Sequence, residues 1–147
     1  MFQRIRVVLV ALWLGLVVTL ATVATPTAFA VLERTLAGRV AGQMFRIEAT
    51  VGLGLAMLLF LIERRVAMRR AAAGQGSVLS AEIVLVLGAL FCTVLGYFAL
   101  QPLMEAARAG QGAYSFGMLH GVSSALFALK GLLLLALLWR SAGASAS

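Results

Sequence analysis

Val7-Val8-Leu9-Val10-Ala11-Leu12-Trp13-Leu14-Gly15-Leu16-Val17-Val18-Thr19-Leu20-Ala21-Thr22-Val23-Ala24, followed by Thr25-Pro26-Thr27-Ala28-Phe29-Ala30, decides how many helices this chain has. The run carries no charge, and a hydrocarbon core of about 30 Å takes about 20 apolar residues to cross. Arg4 and Arg6 precede it; Glu33 and Arg34 follow. The same residues have a second reading. A basic start, an apolar run and Ala28-Phe29-Ala30 before Val31 also describe a secretory signal with a small-residue cleavage site. The apolar run from Val7 to Ala24 is longer than the roughly 7 to 15 residues of a typical signal core, which favours a retained span at about 7–30. Retention gives four helices, and cleavage would leave three.

Working outward, 63% hydrophobic and 12% charged residues in a chain of 147 describe one domain, too apolar for a water-soluble globule. Its first partner is the lipid bilayer. The net charge of +7 does not point to nucleic acid, because the basic residues sit at the ends of apolar segments and form no stripe interleaved with aromatics. Cys92 is the single cysteine, so no internal disulfide forms.

A second span is expected at about 35–62, with an amphipathic start at Thr35 to Arg46 that leads into it. Gly38 and Gly42 lie four apart there and predict close approach of another backbone, with Gly52 and Ala56 continuing the small face. Arginines from Arg64 to Arg70 precede a small-residue linker, Ala71 to Ser77. Ser80 is placed to cap a third span at about 80–100, along which Val84, Gly88, Cys92 and Gly96 recur every four residues as a packing face. Gln101-Pro102 ends or kinks it. A fourth span is expected at about 114–139, leaving 141–147 as a disordered tail and 1–140 as a single all-α, four-helix transmembrane domain. Arg4, Arg6, Arg64, Arg65, Arg69, Arg70 and Arg140 fall on one side, against Arg34, Arg39, Arg46 and Arg108 on the other. That excess predicts both termini in the cytoplasm of a multi-pass protein, whose expected setting is the bacterial inner membrane. Pro26 and Pro102 near the ends of the first and third spans also hint at a duplicated helix pair.

Polar residues inside such a bundle need reasons, because lipid offers no hydrogen bonds. Phe116-Gly117-Met118-Leu119-His120-Gly121-Val122-Ser123-Ser124 places the only histidine and two hydroxyls in an apolar run. With Gln101, Glu48 and Gln43 mapping to the same half of the membrane, His120, Ser123 and Ser124 are read as an outer polar cluster. It either locks the helices together or forms a small site; Gly117 and Gly121 keep the neighbouring surface thin. Lys130, near the middle of the fourth span, is expected either to snorkel to headgroups or to pair with Glu82.

The chain has no Asp or Asn, no phosphate-binding glycine loop and no nucleophile with triad spacing, so enzymatic activity is not expected. One histidine cannot supply a bis-histidine haem, and neither a cofactor nor a metal is expected. Soft-metal binding by Met44, Met104 or Met118 competes with the usual gap-filling role of methionine. Four short helices make a poor pore, so transport would call for a homo-oligomer.

Trp13-Leu14-Gly15, Pro26-x-x-Phe29, Ala37-Gly38-Arg39-Val40-Ala41-Gly42-x-Met44-Phe45, Gln101-Pro102 and Phe116-Gly117-x-x-His120-Gly121-x-Ser123-Ser124 together give the chain a family resemblance over about Leu9 to Leu138. It resembles the domain of unknown function 4149, also called the transmembrane protein 205-like family. The resemblance implies a four-helix integral membrane protein with its first helix retained, and brings no catalytic residues. A eukaryotic relative is associated with resistance to platinum drugs and with vesicle trafficking, while bacterial members have no established activity. The leading functional expectation is a structural or interaction component of the membrane with an unknown protein partner. The alternative is a small-solute or soft-metal transport or resistance protein with a site around His120.

Overall fold

The computed structural model describes residues 2–143, and every regular element among them is helical. Four helices are long and apolar enough to cross a membrane. Helix α1 runs through Phe2–Thr19, widens into a π-helical turn at Leu20–Ala24 and resumes over Thr25–Val31. Helix α2 is unbroken over Arg34–Ala72. Helix α3 repeats the pattern of α1, with Ala81–Thr93, a π-helical turn at Val94–Ala99 and then Leu100–Arg108. Helix α4 covers Phe116–Gly143.

The two π-helical turns have the same cause. Pro26 and Pro102 have no N–H to give to the carbonyls of Thr22 and Phe98, and their rings crowd those carbonyls. Widening the preceding turn relieves the crowding without ending the helix. Thr25 N–H accordingly reaches back five residues to the carbonyl of Leu20, and Leu100 N–H bonds the carbonyls of Leu95 and Tyr97.

Glu33 caps α2 by accepting the backbone N–H of Thr35 at 3.2 Å, and this bond holds its carboxyl below the usual glutamate range. Ser80 Oγ caps α3 by accepting the N–H of Ile83. Helices α2 and α3 end alike, in Gly74-Gln75-Gly76 and Gly110-Gln111-Gly112. These glycines have φ of 70°, 102°, 71° and 103°, values that favour a residue without a side chain. In each case the glutamine N–H turns back 2.8 Å to a carbonyl of the last turn, Arg70 or Ala106.

The helices overrun the expected spans at three places. The second helix runs to Ala72 rather than about 62, because Glu63 to Ala72 holds no helix breaker. The third reaches Arg108 rather than about 100, because the π-helical turn absorbs Pro102. The fourth begins at Phe116 and carries Ser141–Gly143 within it, so the expected tail shrinks to 144–147, which lie outside the described residues.

The helices form a ring in which each packs against its neighbours in sequence and α4 closes onto α1; among the described residues the backbones of diagonal helices stay apart. The core gathers Val10, Trp13 and Val17 of α1 with Ala56, Leu59, Val86, Ala89, Leu134 and Leu137. Helix α1 is therefore built into the centre of the bundle. Polarity is reversed relative to a protein in water. Arg6, Glu48, Glu63 and Lys130 are buried, while Leu12, Phe91 and Leu132 face outward.

The ring is tight at one end only. Phe2–Thr19 packs on α4, but beyond the π-helical turn Thr25–Val31 packs on α2 and no longer on α4. Leu100–Arg108 likewise packs on α4 and not on α2. The hairpins α1–α2 and α3–α4 thus part toward the end where α2 and α4 begin, which forms the open end of the bundle.

Candidate ligand cavity

Between the parted hairpins lies a cavity of about 890 Å³, lined by all four helices. That volume falls in the range typical of small-molecule sites, about 300 to 1,000 Å³. Helix α1 contributes Ala21, Thr25 and Phe29, the residues around and beyond its π-helical turn. Helix α2 lines it from Arg34 to Glu48, with Gly38, Ala41 and Gly42 giving up side-chain volume and Phe45 forming a wall. Helix α3 adds Cys92, Thr93, Gly96, Tyr97, Gln101, Met104 and Arg108, and α4 adds Phe116, His120, Ser123, Ser124, Phe127, Ala128 and Lys130.

The deep end is closed by an ion pair. Lys130 Nζ donates to both carboxylate oxygens of Glu48, at 2.9 and 2.7 Å, and these side chains are 3% and 2% exposed. Trp13 Nε1 donates to the same carboxylate at 3.3 Å, and the ammonium lies 4.5 Å from the centre of the Phe127 ring. The indole reaches Glu48 because Gly52 has no side chain; a Cβ there would sit 3.1 Å from Trp13 Nε1. One carboxylate thus joins α1, α2 and α4.

This corrects the expected pairing of Lys130 with Glu82, and equally its snorkelling to headgroups. Glu82 stands at the closed end in the first turn of α3, where Arg140 of α4 meets it at 3.0 Å. Lys130 is thirteen residues short of Gly143, about 20 Å from that end at 1.5 Å per residue. Glu48 is fourteen residues on from Arg34, and Lys130 fourteen on from Phe116, so both reach the same depth, about 21 Å from the open end. A third ion pair, Arg6 with Glu63 at 3.1 Å, is buried like that of Lys130 and ties the start of α1 to α2.

The expected outer cluster is brought together in part. His120, Ser123, Ser124, Gln101 and Glu48 all line the cavity, whereas Gln43 faces outward and does not. Their contacts differ from a hydrogen-bonded lock. His120 is exposed to the cavity and stacks on Phe116 at 5.6 Å between ring centres, and Arg108 covers the Phe116 ring at 4.5 Å. Gln101 donates to Glu105 on its own helix. Besides Glu48, Ser123 ties two helices, donating 2.7 Å to the carbonyl of Gly96 within the second π-helical turn.

Of the expected packing glycines, Gly88 and Gly96 are close-contact positions, with a Cβ at 3.1 Å from Leu133 and 3.2 Å from Leu126. Gly38, Gly42, Gly117 and Gly121 are not: a Cβ on any of them meets nothing within 4 Å. Gly38 and Gly42 make room for the cavity instead.

At the mouth stand Arg34, Arg39 and Arg108. Among the described residues the ion pairs are those of Arg6, Lys130 and Arg140, so none of the three mouth arginines is neutralised by a carboxylate. No group of three or more His, Cys, Asp or Glu side chains able to hold a metal occurs among the described residues.

Four helices of membrane-crossing length and polarity, with charged groups turned inward, are the make-up of a multi-pass membrane protein. The chain belongs to the family described as Domain of unknown function (DUF4149), whose model matches residues 8–113. That match takes in nearly all of α1 and the whole of α2 and α3 and stops before α4, so the Phe116 to Ser124 stretch lies outside it. No curated protein and no solved structure matches the chain.

Proposed function

We propose that this protein binds a small molecule inside the membrane, in the cavity between its two hairpins, as a carrier, resistance or sensing component without enzymatic activity. The observation that carries the reading is the cavity itself. A bundle whose task is only to hold a position or a partner gains by filling its interior, since interiors pack to crystal-like density. Here glycines line the space and two proline-driven π-helical turns part the hairpins around it. This favours the solute-handling alternative over the structural reading that the sequence puts first. It favours an organic solute over a soft metal as well, because Met104 is the one methionine that shares the cavity with His120.

The arginine count supports a bacterial inner-membrane setting with both termini, and so the closed end, in the cytoplasm, and the cavity opening toward the outer face. Nucleic acid has no place in the proposal, and a homo-oligomer is compatible with it. The test is native mass spectrometry of protein extracted in mild detergent, comparing the parent with Gly42→Phe, which fills open space rather than displacing neighbours. The parent should carry a bound small molecule that the variant lacks. A parent free of ligand, with a variant of identical behaviour, would overturn the reading.

A further inference from the structure

We infer that the cavity takes a single-chain amphiphile with an anionic head, seated with the head among Arg34, Arg39 and Arg108 and the chain running down toward Phe127. This rests on the proposed binding function and names the ligand class.

Charge is the first argument. The lining carries four cations and one carboxylate, and that carboxylate is consumed by Lys130 at the deep end. The three remaining cations stand at the mouth and, among the described residues, form no ion pair with a carboxylate; guanidinium forks suit carboxylate and phosphate oxygens.

Depth is the second argument. Arg34 and Glu48 are fourteen residues apart on one helix, so the cavity spans about 21 Å from its mouth to the ion pair. Half a hydrocarbon core is about 15 Å, and a headgroup layer adds several more. The cavity therefore has the length of one leaflet, with charge where heads lie and aromatic walls where chains lie. Phe45 and Phe127 supply those walls.

Access is the third. Val17 and Gly131 mark a close approach of α1 to α4, where a Cβ on the glycine would sit 3.7 Å from the valine. Beyond it Thr25–Val31 leaves α4, so a side of the cavity faces the membrane rather than water. A lipid-derived molecule enters from the bilayer through that opening, where a hydrophilic solute would have no path. The nearby carboxylates stand outside the lining: Glu33 faces the N–H of Thr35 and Glu105 faces Gln101.

The test uses the full chain in nanodiscs of neutral phosphatidylcholine, with empty nanodiscs subtracted. Radiolabelled hexadecyl phosphate is compared with hexadecanol, hexadecyltrimethylammonium and inorganic phosphate. Hexadecyl phosphate should bind saturably, with the alcohol and the cation at least about tenfold weaker. Each of Arg34→Gln, Arg39→Gln and Arg108→Gln should weaken it by about tenfold where the guanidinium contacts the head. Gly42→Phe should abolish binding. Equal binding of the alcohol, with the arginine variants unchanged, would overturn the anionic head while leaving the cavity reading intact. Competition by inorganic phosphate as effective as that of the alkyl phosphate would overturn the amphiphile in favour of a soluble anion. If no probe binds while native mass spectra still show a ligand removed by Gly42→Phe, the inferred class fails alone; if that ligand is missing too, both readings fail.

Discussion

Replacing Glu48 with Gln is the most informative single perturbation of this bundle. The change keeps the side chain's shape and leaves an amide oxygen for Trp13 Nε1, but it strips Lys130 of its only ion-pair partner among the described residues. The ammonium is then a buried charge at mid-membrane depth, with the neutral amide and the Phe127 ring face beside it and no carboxylate to pair with. Breaking a buried pair from one side costs about 3–5 kcal/mol, because the surviving charge keeps its desolvation penalty and loses its attraction. With each 1.4 kcal/mol a factor of ten, the unfolding equilibrium should shift by roughly two to three and a half decades. Lys130→Met should cost a similar amount by stranding the carboxylate. The double variant Glu48→Gln/Lys130→Met should recover most of the loss, since neither residue then carries charge. Equilibrium unfolding in mixed micelles, followed by tryptophan emission, measures all three. The reasoning is refuted if either single variant costs less than about 1 kcal/mol, or if Glu82→Gln repairs Lys130→Met as well as Glu48→Gln does.

Arg140→Gln should cost no more than about 1 kcal/mol in the same assay, because the arginine is half exposed, and a larger loss would argue against the surface setting of that pair. Gly52→Leu should destabilise by about 1–3 kcal/mol by driving Trp13 away from Glu48, while Gly42→Leu, facing open space, should stay within about 1 kcal/mol of the parent. Cys92 lines the cavity, so a small methanethiosulfonate should modify it faster in the parent than in Gly42→Leu; equal rates would place the cysteine out of reach of that space. Intact mass spectrometry of membrane-extracted protein should give the uncleaved chain, since Arg6 and Trp13 hold buried partners on α2; a mass lacking residues 1–30 would refute the place of α1 at the centre of the bundle.

The four spans are legible in the sequence because apolar runs of membrane length punctuated by arginines have few other readings. Their ends are less so. Pro102 reads in sequence as a stop or a kink, and the π-helical turn before it shows that the helix continues. The cavity-lining role of His120, Ser123, Ser124 and Gln101 can be approached from their common depth, but their side chains make different contacts from those expected. The Lys130–Glu48 pair escapes a reading that groups Glu48 with Gln43 and Gln101 in the outer half of the membrane and seeks the partner of Lys130 in Glu82. Counting from the helix start near Thr35 instead puts Glu48 level with Lys130, so the signal is present in the spacing. The cavity itself is not readable. Gly38 and Gly42 show the same four-residue interval whether another backbone fills the space beside them or none does, and only the position of the partner helix distinguishes the two.

The ion pairs Arg6–Glu63, Lys130–Glu48 and Arg140–Glu82, among the described residues, divide unevenly between the hairpins. Arg6–Glu63 lies wholly within α1–α2 and Arg140–Glu82 wholly within α3–α4, while Lys130–Glu48 alone joins one hairpin to the other. A chain cut at Gly74-Gln75-Gly76 would therefore give two fragments that each keep an internal charge pair, with a single buried pair to recognise each other by. Co-expressed halves should find one another in the membrane when both Glu48 and Lys130 are present and fail when either is neutralised alone, making the floor of the cavity the recognition element by which the two parts of the molecule assemble.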